Sequence, residues 1–253
     1  MQDIIYYFLF IFIFFFGASI GSFLNSLIYR LPERKKIFLD RSICPKCFHQ
    51  LSFLDLIPIF SFLFLAGRCR YCRKKISWQY PLVELITGLL FLFSFVKLSS
   101  QFSIILLRDF IFISVMIFVF VYDLKYMLIE DVVVIPSIII IFFLNFLILK
   151  SLAPIFLGGI ISLSFFLVQY ILTKKEGLGE GDLRLGFLIG IMFGWPKVLL
   201  SIFISYFIGA IIALILLIIK KKKLYSKVPL GPFLAVGSLI TLFFGEKIIN
   251  FYL

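Results

Sequence analysis

Residues 104–126 read IILLRDFIFISVMIFVFVYDLKY. No residue from Phe110 to Tyr122 carries a charge, and the run 104–121 has about the length that crosses a bilayer core as a helix. Seven more apolar segments recur along the chain, at roughly 4–26, 81–96, 133–149, 154–172, 183–194, 198–219 and 231–245, separated by short charged or Gly/Pro-rich breaks. The segment 183–194 is too short to cross unaided. Hydrophobic residues make up 62% of the 253, charged residues only 15%, and the mean hydropathy is +1.15. A water-soluble domain carries roughly a quarter charged residues, so membrane is the solvent that suits this composition. In lipid the backbone must satisfy its own hydrogen bonds, which favours helices. The expected fold is an all-α polytopic membrane protein of about eight transmembrane helices.

The first run is too long, and too lightly charged in front, for a cleavable signal peptide, so it is expected to stay as a helix. Lys and Arg accumulate on the cytoplasmic side of membrane proteins. With the N-terminus outside, all but five of the 25 basic residues fall inside, the exceptions being Lys97, Arg108, Lys150, Lys197 and Lys247. The inside set includes the stretch 30–75, Lys125, Lys174, Lys175, Arg184, Lys220 to Lys223 and Lys227. The net charge of +12 therefore reads as topology, not as a nucleic-acid-binding surface. The run at 220–223 reads as a helix-end anchor near anionic lipid.

One long polar stretch, about 29–80, lies between the first two spans and holds every cysteine. Cys44 and Cys47 form CPKC, and Cys69 and Cys72 form CRYC, with 21 residues between the pairs. Each pair supplies two adjacent tetrahedral ligands, and the spacer lets the pairs fold face to face, the layout of a structural four-thiolate Zn²⁺ site. Disulfides are the alternative, but a cytoplasmic placement is reducing. Four thiolates around Zn²⁺ leave a charge of about −2, which Arg41, Lys46, Arg68, Arg70 and Arg73 are placed to neutralise; a solvated face explains those residues equally well. The spacer 51–67, LSFLDLIPIFSFLFLAG, is apolar, yet a single crossing would put the two pairs on opposite faces of the membrane. It is expected to be interfacial or re-entrant. His49 is the only histidine, which excludes Ser-His-Asp and Cys-His machinery and the HExxH metalloprotease helix; it reads as a surface residue beside a complete ligand set. The expected division is thus 1–28 first helix, 29–80 cytoplasmic zinc domain, and 81–253 transmembrane core.

Six of the thirteen acidic residues lie in two short stretches on the expected cytoplasmic side: Asp123, Glu130 and Asp131, and Glu176, Glu180 and Asp182. Ionisable groups at a membrane boundary cost several kcal/mol unless paired or hydrated, so they mark function by default. Asp123 ends one apolar helix, and Asp182 begins another after the glycines of GLGEGD. Two carboxylates from separate helices suit water-mediated peptide hydrolysis, one ionised to activate water and the other protonated to polarise the carbonyl. The bland alternative is that Asp182 caps its helix while Asp123 pairs with Lys125 or Arg184. Helix ends favour Asp182 as the base and Asp123 as the acid.

Taken in order, GASIGSFLNSLIYRLP at 17–32, RSICPKC at 41–47, GRCRYC at 67–72, ISWQYPLVELITG at 76–88, YDLKYMLIED at 122–131, GLGEGDLRLG at 177–186 and VPLGPFLAVG at 228–237 resemble the type IV prepilin peptidases. That family comprises aspartic membrane enzymes of the bacterial inner membrane. The resemblance implies that Asp123 and Asp182 are the catalytic pair, with Gly179, Gly181, Asp131, Lys125 and Arg184 supporting it. It implies cytoplasmic cleavage of a short basic leader from prepilins or pseudopilins after glycine, then N-methylation of the new N-terminal residue with S-adenosylmethionine as donor. Gly67 and Glu84 are the candidates for donor binding, although helix packing or a polar helix-end contact also explains them. Two departures stand out: Glu130 replaces the family's usual proline before Asp131, and Arg184 replaces its usual lysine. Gly17 and Gly21 form a GxxxG close-packing face. A proton-coupled transporter relaying through Asp123 and Asp182, or a zinc-stabilised scaffold, are the competing classes.

Overall fold

A computed structural model describes residues 2–32, 41–98, 103–174, 177–219 and 228–252, with the side chains of 2–5 and 252 left aside. Lys175, Glu176, Lys220 to Lys223 and Lys227, used above in the charge and carboxylate readings, lie outside the described residues. Among the described residues the regular elements are helices, α1 (Gln2–Arg30), α2 (Phe60–Phe64), α3 (Gln79–Lys97), α4 (Ile104–Tyr126), α5 (Asp131–Leu149), α6 (Ala153–Leu172), α7 (Glu180–Phe193), α8 (Lys197–Ile218) and α9 (Gly231–Tyr252), with isolated β-bridges joining Ile43 to Gln50 and Arg68 to Lys75. Among the described residues seven of these, all but α2 and α7, are long and apolar enough to cross a membrane. The eighth apolar segment is α7, whose 14 residues rise only about 21 Å, short of the ~30 Å hydrocarbon core. The spacer 51–67 forms a 3-10 turn at Phe53–Leu56 and the five-residue α2, and no spanning helix.

Two compact units emerge, Met1–Gln101 and Phe102–Leu253. The first keeps α3 with α1, whereas polarity alone divides the chain at 80; helix packing, invisible in hydropathy, makes the difference. The GxxxG face is the reason for this pairing. A Cβ on Gly17 would sit 2.9 Å from the Gly88 Cα of α3, and one on Gly21 would sit 2.8 Å from the Glu84 Cα. Only glycine lets the two backbones approach this closely. Asn25 then pins the helix ends, donating from Nδ2 to the Tyr80 carbonyl at 3.0 Å.

In the second unit α7 packs against α5 and α6, α4 against α5 and α9, and α8 against α9. Surrounding α7 with helices is what makes its short length tolerable, because a helix end inside the apolar region must find partners for its last carbonyls. Asn145 of α5 supplies them, donating from Nδ2 to the carbonyls of Ile191 at 2.6 Å and Met192 at 3.2 Å. Arg108 holds Asn145 in turn through its Oδ1 at 2.9 Å. Ser162 of α6 donates to the Gly186 carbonyl at 2.6 Å, and a Cβ on Gly159 would meet Phe187 at 2.8 Å. Held along its length, α7 carries its amino end and Asp182 to a defined place.

Candidate functional site

Asp123 lies in the last turn of α4, which runs five residues beyond the apolar segment expected from hydropathy and closes on Met127 in the left-handed region (φ 53°). Its side chain is buried, and Oδ2 accepts the backbone N–H of Gly231, the first residue of α9, at 2.9 Å. Asp182 is the third residue of α7 and partly exposed; its Oδ2 accepts the Gly179 N–H at 2.9 Å. Asp182 therefore caps its own helix, as the bland alternative expects. The same fold also brings it near enough to Asp123 for the two charges to interact. Both carboxylates thus meet backbone N–H groups at helix amino ends, where negative charge is favoured. Tyr206 of α8 stands within electrostatic reach of Asp182 and donates to Gln169 at 2.6 Å.

The loop from α4 to α5 crosses the start of α7. A Cβ on Gly181 would lie 2.7 Å from Ile129 Cβ, so glycine at 181 lets the loop close over the helix start. Gly179, the N-cap, opens on free space apart from Asp182. Arg184 ion-pairs with Asp131 and lies 3.8 Å from Glu180. Lys125 is exposed, its Nζ 5.0 Å above the Tyr126 ring. Neither cation takes up Asp123, so the pairing offered as an alternative is not the one formed. Gly231 is the residue that sequence reasoning missed. The signal available in the sequence was the Gly231-Pro232 step at a helix start: proline has no N–H, and since the amides of Phe233 and Leu234 turn back to the Leu230 carbonyl, the Gly231 N–H is the one left to donate outward.

In the first unit the four cysteine Sγ atoms lie within 4.8 Å of one another, with Cys44 and Cys72 4.0 Å apart. Tetrahedral thiolates at a Zn–S distance of ~2.3 Å stand about 3.8 Å apart, so the donor set fits a metal ion. Two matching hairpins, 25 residues apart in the chain, gather them. Phe48 and Arg73 have φ near +57° and each donates back to the first cysteine of its pair, at 2.8 and 3.0 Å. His49 is not part of the set; its ring lies on Tyr71, centroids 3.7 Å apart. Arg70, expected near the thiolates, is engaged by Asp55 at 2.7 Å. Gly67 takes φ +67° at the start of the second hairpin and faces Phe62, while Glu84, buried on α3, accepts the Ile59 N–H at 2.7 Å.

Comparison with known sequences identifies relatives of this chain. The bacterial Peptidase A24 N-terminal domain matches residues 15–98, and the type IV leader peptidase family matches residues 110–214. A Bacillus subtilis protein named prepilin leader peptidase/N-methyltransferase is 34% identical over 248 residues, covering 95% of this chain and 96% of its own. Proteins of the same name from Aeromonas salmonicida (31% over 273 residues) and Legionella pneumophila (32% over 266) cover 95% and 94% of this chain, and 92% of their own length. The chain belongs to the type IV leader peptidase family. It is a multi-pass membrane protein. No solved structure matches it. Within the leader peptidase pattern, the departure at Glu130 is accommodated in place: Glu130 is the N-cap of α5, and Tyr122 donates to its Oε1 at 2.5 Å. Arg184, at the other departure, keeps the cation beside Asp131.

Proposed function

We propose that this chain is a membrane aspartic endopeptidase that removes the leader of type IV prepilins or pseudopilins after glycine, and then N-methylates the new N-terminal residue. The observation that carries the reading is the approach of Asp123 and Asp182 from α4 and α7, each carboxylate on a backbone N–H. Hydrolysis needs one carboxylate to draw a proton from water as it attacks the scissile carbonyl, and the other to donate its proton to the carbonyl oxygen; when the tetrahedral intermediate collapses, the proton taken from water passes to the leaving amine and the second carboxylate recovers its own. Asp182, with access to water, is the base and Asp123 the acid. Gly179, Gly181, Asp131 and Arg184 set the loop geometry around the pair, and Lys125 stands outside it. The relay alternative draws no support from the family to which the chain belongs.

The positive charge bias supports a bacterial inner-membrane placement with the pair and the four-cysteine domain, 29–80, on the cytoplasmic side and the peptidase core in 81–253. The four thiolates are the proposed ligands of a structural Zn²⁺. S-adenosylmethionine, when bound, supplies the methyl group. Gly67 and Glu84 are put forward for its site because both border one segment, Gly67 through Phe62 and Glu84 through Ile59. Incubating membranes that contain the protein with a prepilin should yield the shortened product on a gel. Cleavage at an unchanged rate with both aspartates replaced by asparagine would refute the peptidase reading.

A further inference from the structure

The spacer between the cysteine pairs is fastened at two polar points. The Asp55 side chain is only 2% exposed and accepts four hydrogen bonds: from the Ser52 N–H (3.0 Å) and hydroxyl (2.8 Å), from Arg70 Nε (2.7 Å) and from the Tyr71 hydroxyl (3.2 Å). Arg70 and Tyr71 are the two residues between Cys69 and Cys72. Among the described residues, every donor that reaches Asp55 from beyond its own turn therefore comes from the second cysteine hairpin. Burial works against the ionised carboxylate, but the hydrogen bonds from Ser52 and Arg70 outweigh it and hold Asp55 below the ordinary aspartate range.

Four residues on, the chain is strained. Ile59 has φ 66° and ψ −52°, and Phe60 N–H donates to the Pro58 carbonyl at 2.7 Å, closing a three-residue γ-turn. A β-branched residue is rare in that region and is held there only by over-determined surroundings. The Ile59 N–H is held by Glu84 at 2.7 Å, and the Ser22 side chain bonds to the same carboxylate. The strained turn thus sits between an anchor on the α1–α3 pair and an anchor on the cysteine hairpin.

We infer that Asp55 and Glu84 make residues 53–66 a strap whose position depends on the metal held by the four cysteines. With the thiolates gathered around an ion, the Cys69–Cys72 turn presents Arg70 and Tyr71 to Asp55. Without it, four crowded sulfurs have no common partner, the turn relaxes, and the γ-turn at Ile59 keeps only its Glu84 anchor. Because Phe62 lies against Gly67, the strap joins the metal centre to both residues put forward for the methyl donor. The inference rests on the four-thiolate reading, and the test separates the two.

Metal content is measured first on the full chain in lipid nanodiscs, and amide hydrogen exchange is then compared before and after stripping with a chelator. Exchange at the Ser61 and Leu63 amides, hydrogen-bonded to Ile57 and Ile59, should quicken about tenfold or more on stripping, while α3 amides keep their protection. Asp55→Ala should retain the metal yet exchange fast from the outset, with little further change on stripping. Arg70→Met, which cuts the same contact from the hairpin side, should behave alike and decides the matter if Asp55→Ala does not fold. A chain that binds no metal removes both readings. Bound metal with a strap indifferent to stripping, or variants as protected and responsive as wild type, overturns the strap alone.

Discussion

Gly231→Ala tests the site through a residue that has no side chain of its own. An added Cβ would stand 2.7 Å from Asp123 Oδ2, 3.1 Å from Val119 Cγ1 and 3.2 Å from Asp123 Cβ, where ordinary contacts begin at 3.4 Å. The carboxylate has to retreat by roughly 0.7–1 Å, because the other contact is a packed branched side chain of the same helix. A misplacement of about 1 Å at a reacting group costs on the order of 10²-fold in rate. Stretching the Gly231 N–H bond to the carboxylate removes about 1.5–3 kcal/mol, roughly ten- to a hundredfold, which agrees. Substrate binding does not depend on this contact, so the loss should fall on kcat and leave KM within about threefold.

The assay is steady-state cleavage of a prepilin by purified protein in detergent, with thermal unfolding followed in parallel. Overpacking at 231 should cost about 1–3 kcal/mol of stability, which leaves a folded fraction ample for kinetics. Gly245→Ala is the control on the same helix, since its added Cβ meets Thr241 at 3.1 Å and nothing in the site. If Gly231→Ala cleaves within about threefold of wild type, the hydrogen bond from α9 does not position Asp123 and that part of the site must be redrawn.

Asp123→Asn and Asp182→Asn should each abolish cleavage while the protein stays in the membrane, whereas Glu180→Gln, at an exposed residue bonded to Tyr170, should reduce it far less; leader processing on a gel reads all three. Serine at both Cys44 and Cys72 should release the metal and lower methylation while sparing part of the cleavage, and stoichiometric metal in the double variant would exclude the four-thiolate site. Asn145→Leu strands the carbonyls of Ile191 and Met192, each at about 1–3 kcal/mol when buried, so thermal unfolding should come earlier and cleavage fall with it. Lys125→Met should leave the pH–rate profile of cleavage where it is, because the ammonium lies over Tyr126.

What the sequence made legible is what lipid and metal chemistry impose locally. The run 104–121 had to be a helix, and CPKC with CRYC had to come together if the spacer did not cross; both hold. The glycines of GLGEGD marked a helix start, and α7 begins at Glu180. Pairing information was not legible. The GxxxG of α1 announced a close neighbour but not that Gly88 of α3 would be it. Asn145 is one polar residue in an apolar run, and only the truncated end of α7 explains why it is there. Asp55 is a lone acid in an apolar spacer, and nothing in LSFLDLIPIF points to Arg70. In each case the partner is distant in sequence, and periodicity carries no record of it.

The assignment of proton roles shows the same limit in sharper form. Helix ends alone set Asp123 at a carboxyl terminus and Asp182 at an amino terminus, an asymmetry that makes Asp182 the ionised member. The asymmetry weakens in three dimensions, because α9 brings its own amino end to Asp123 through Gly231. Each carboxylate then has one backbone N–H at 2.9 Å, and dipoles no longer separate them. Access to water does. Asp123 is 5% exposed and enclosed by α4 and α9, while Asp182 is partly open at the lip of α7. The nucleophile of the reaction is water, and the carboxylate that meets water is the one able to take its proton. In the mechanism proposed here Asp182 therefore keeps the part of the base, for a reason that the linear sequence does not contain.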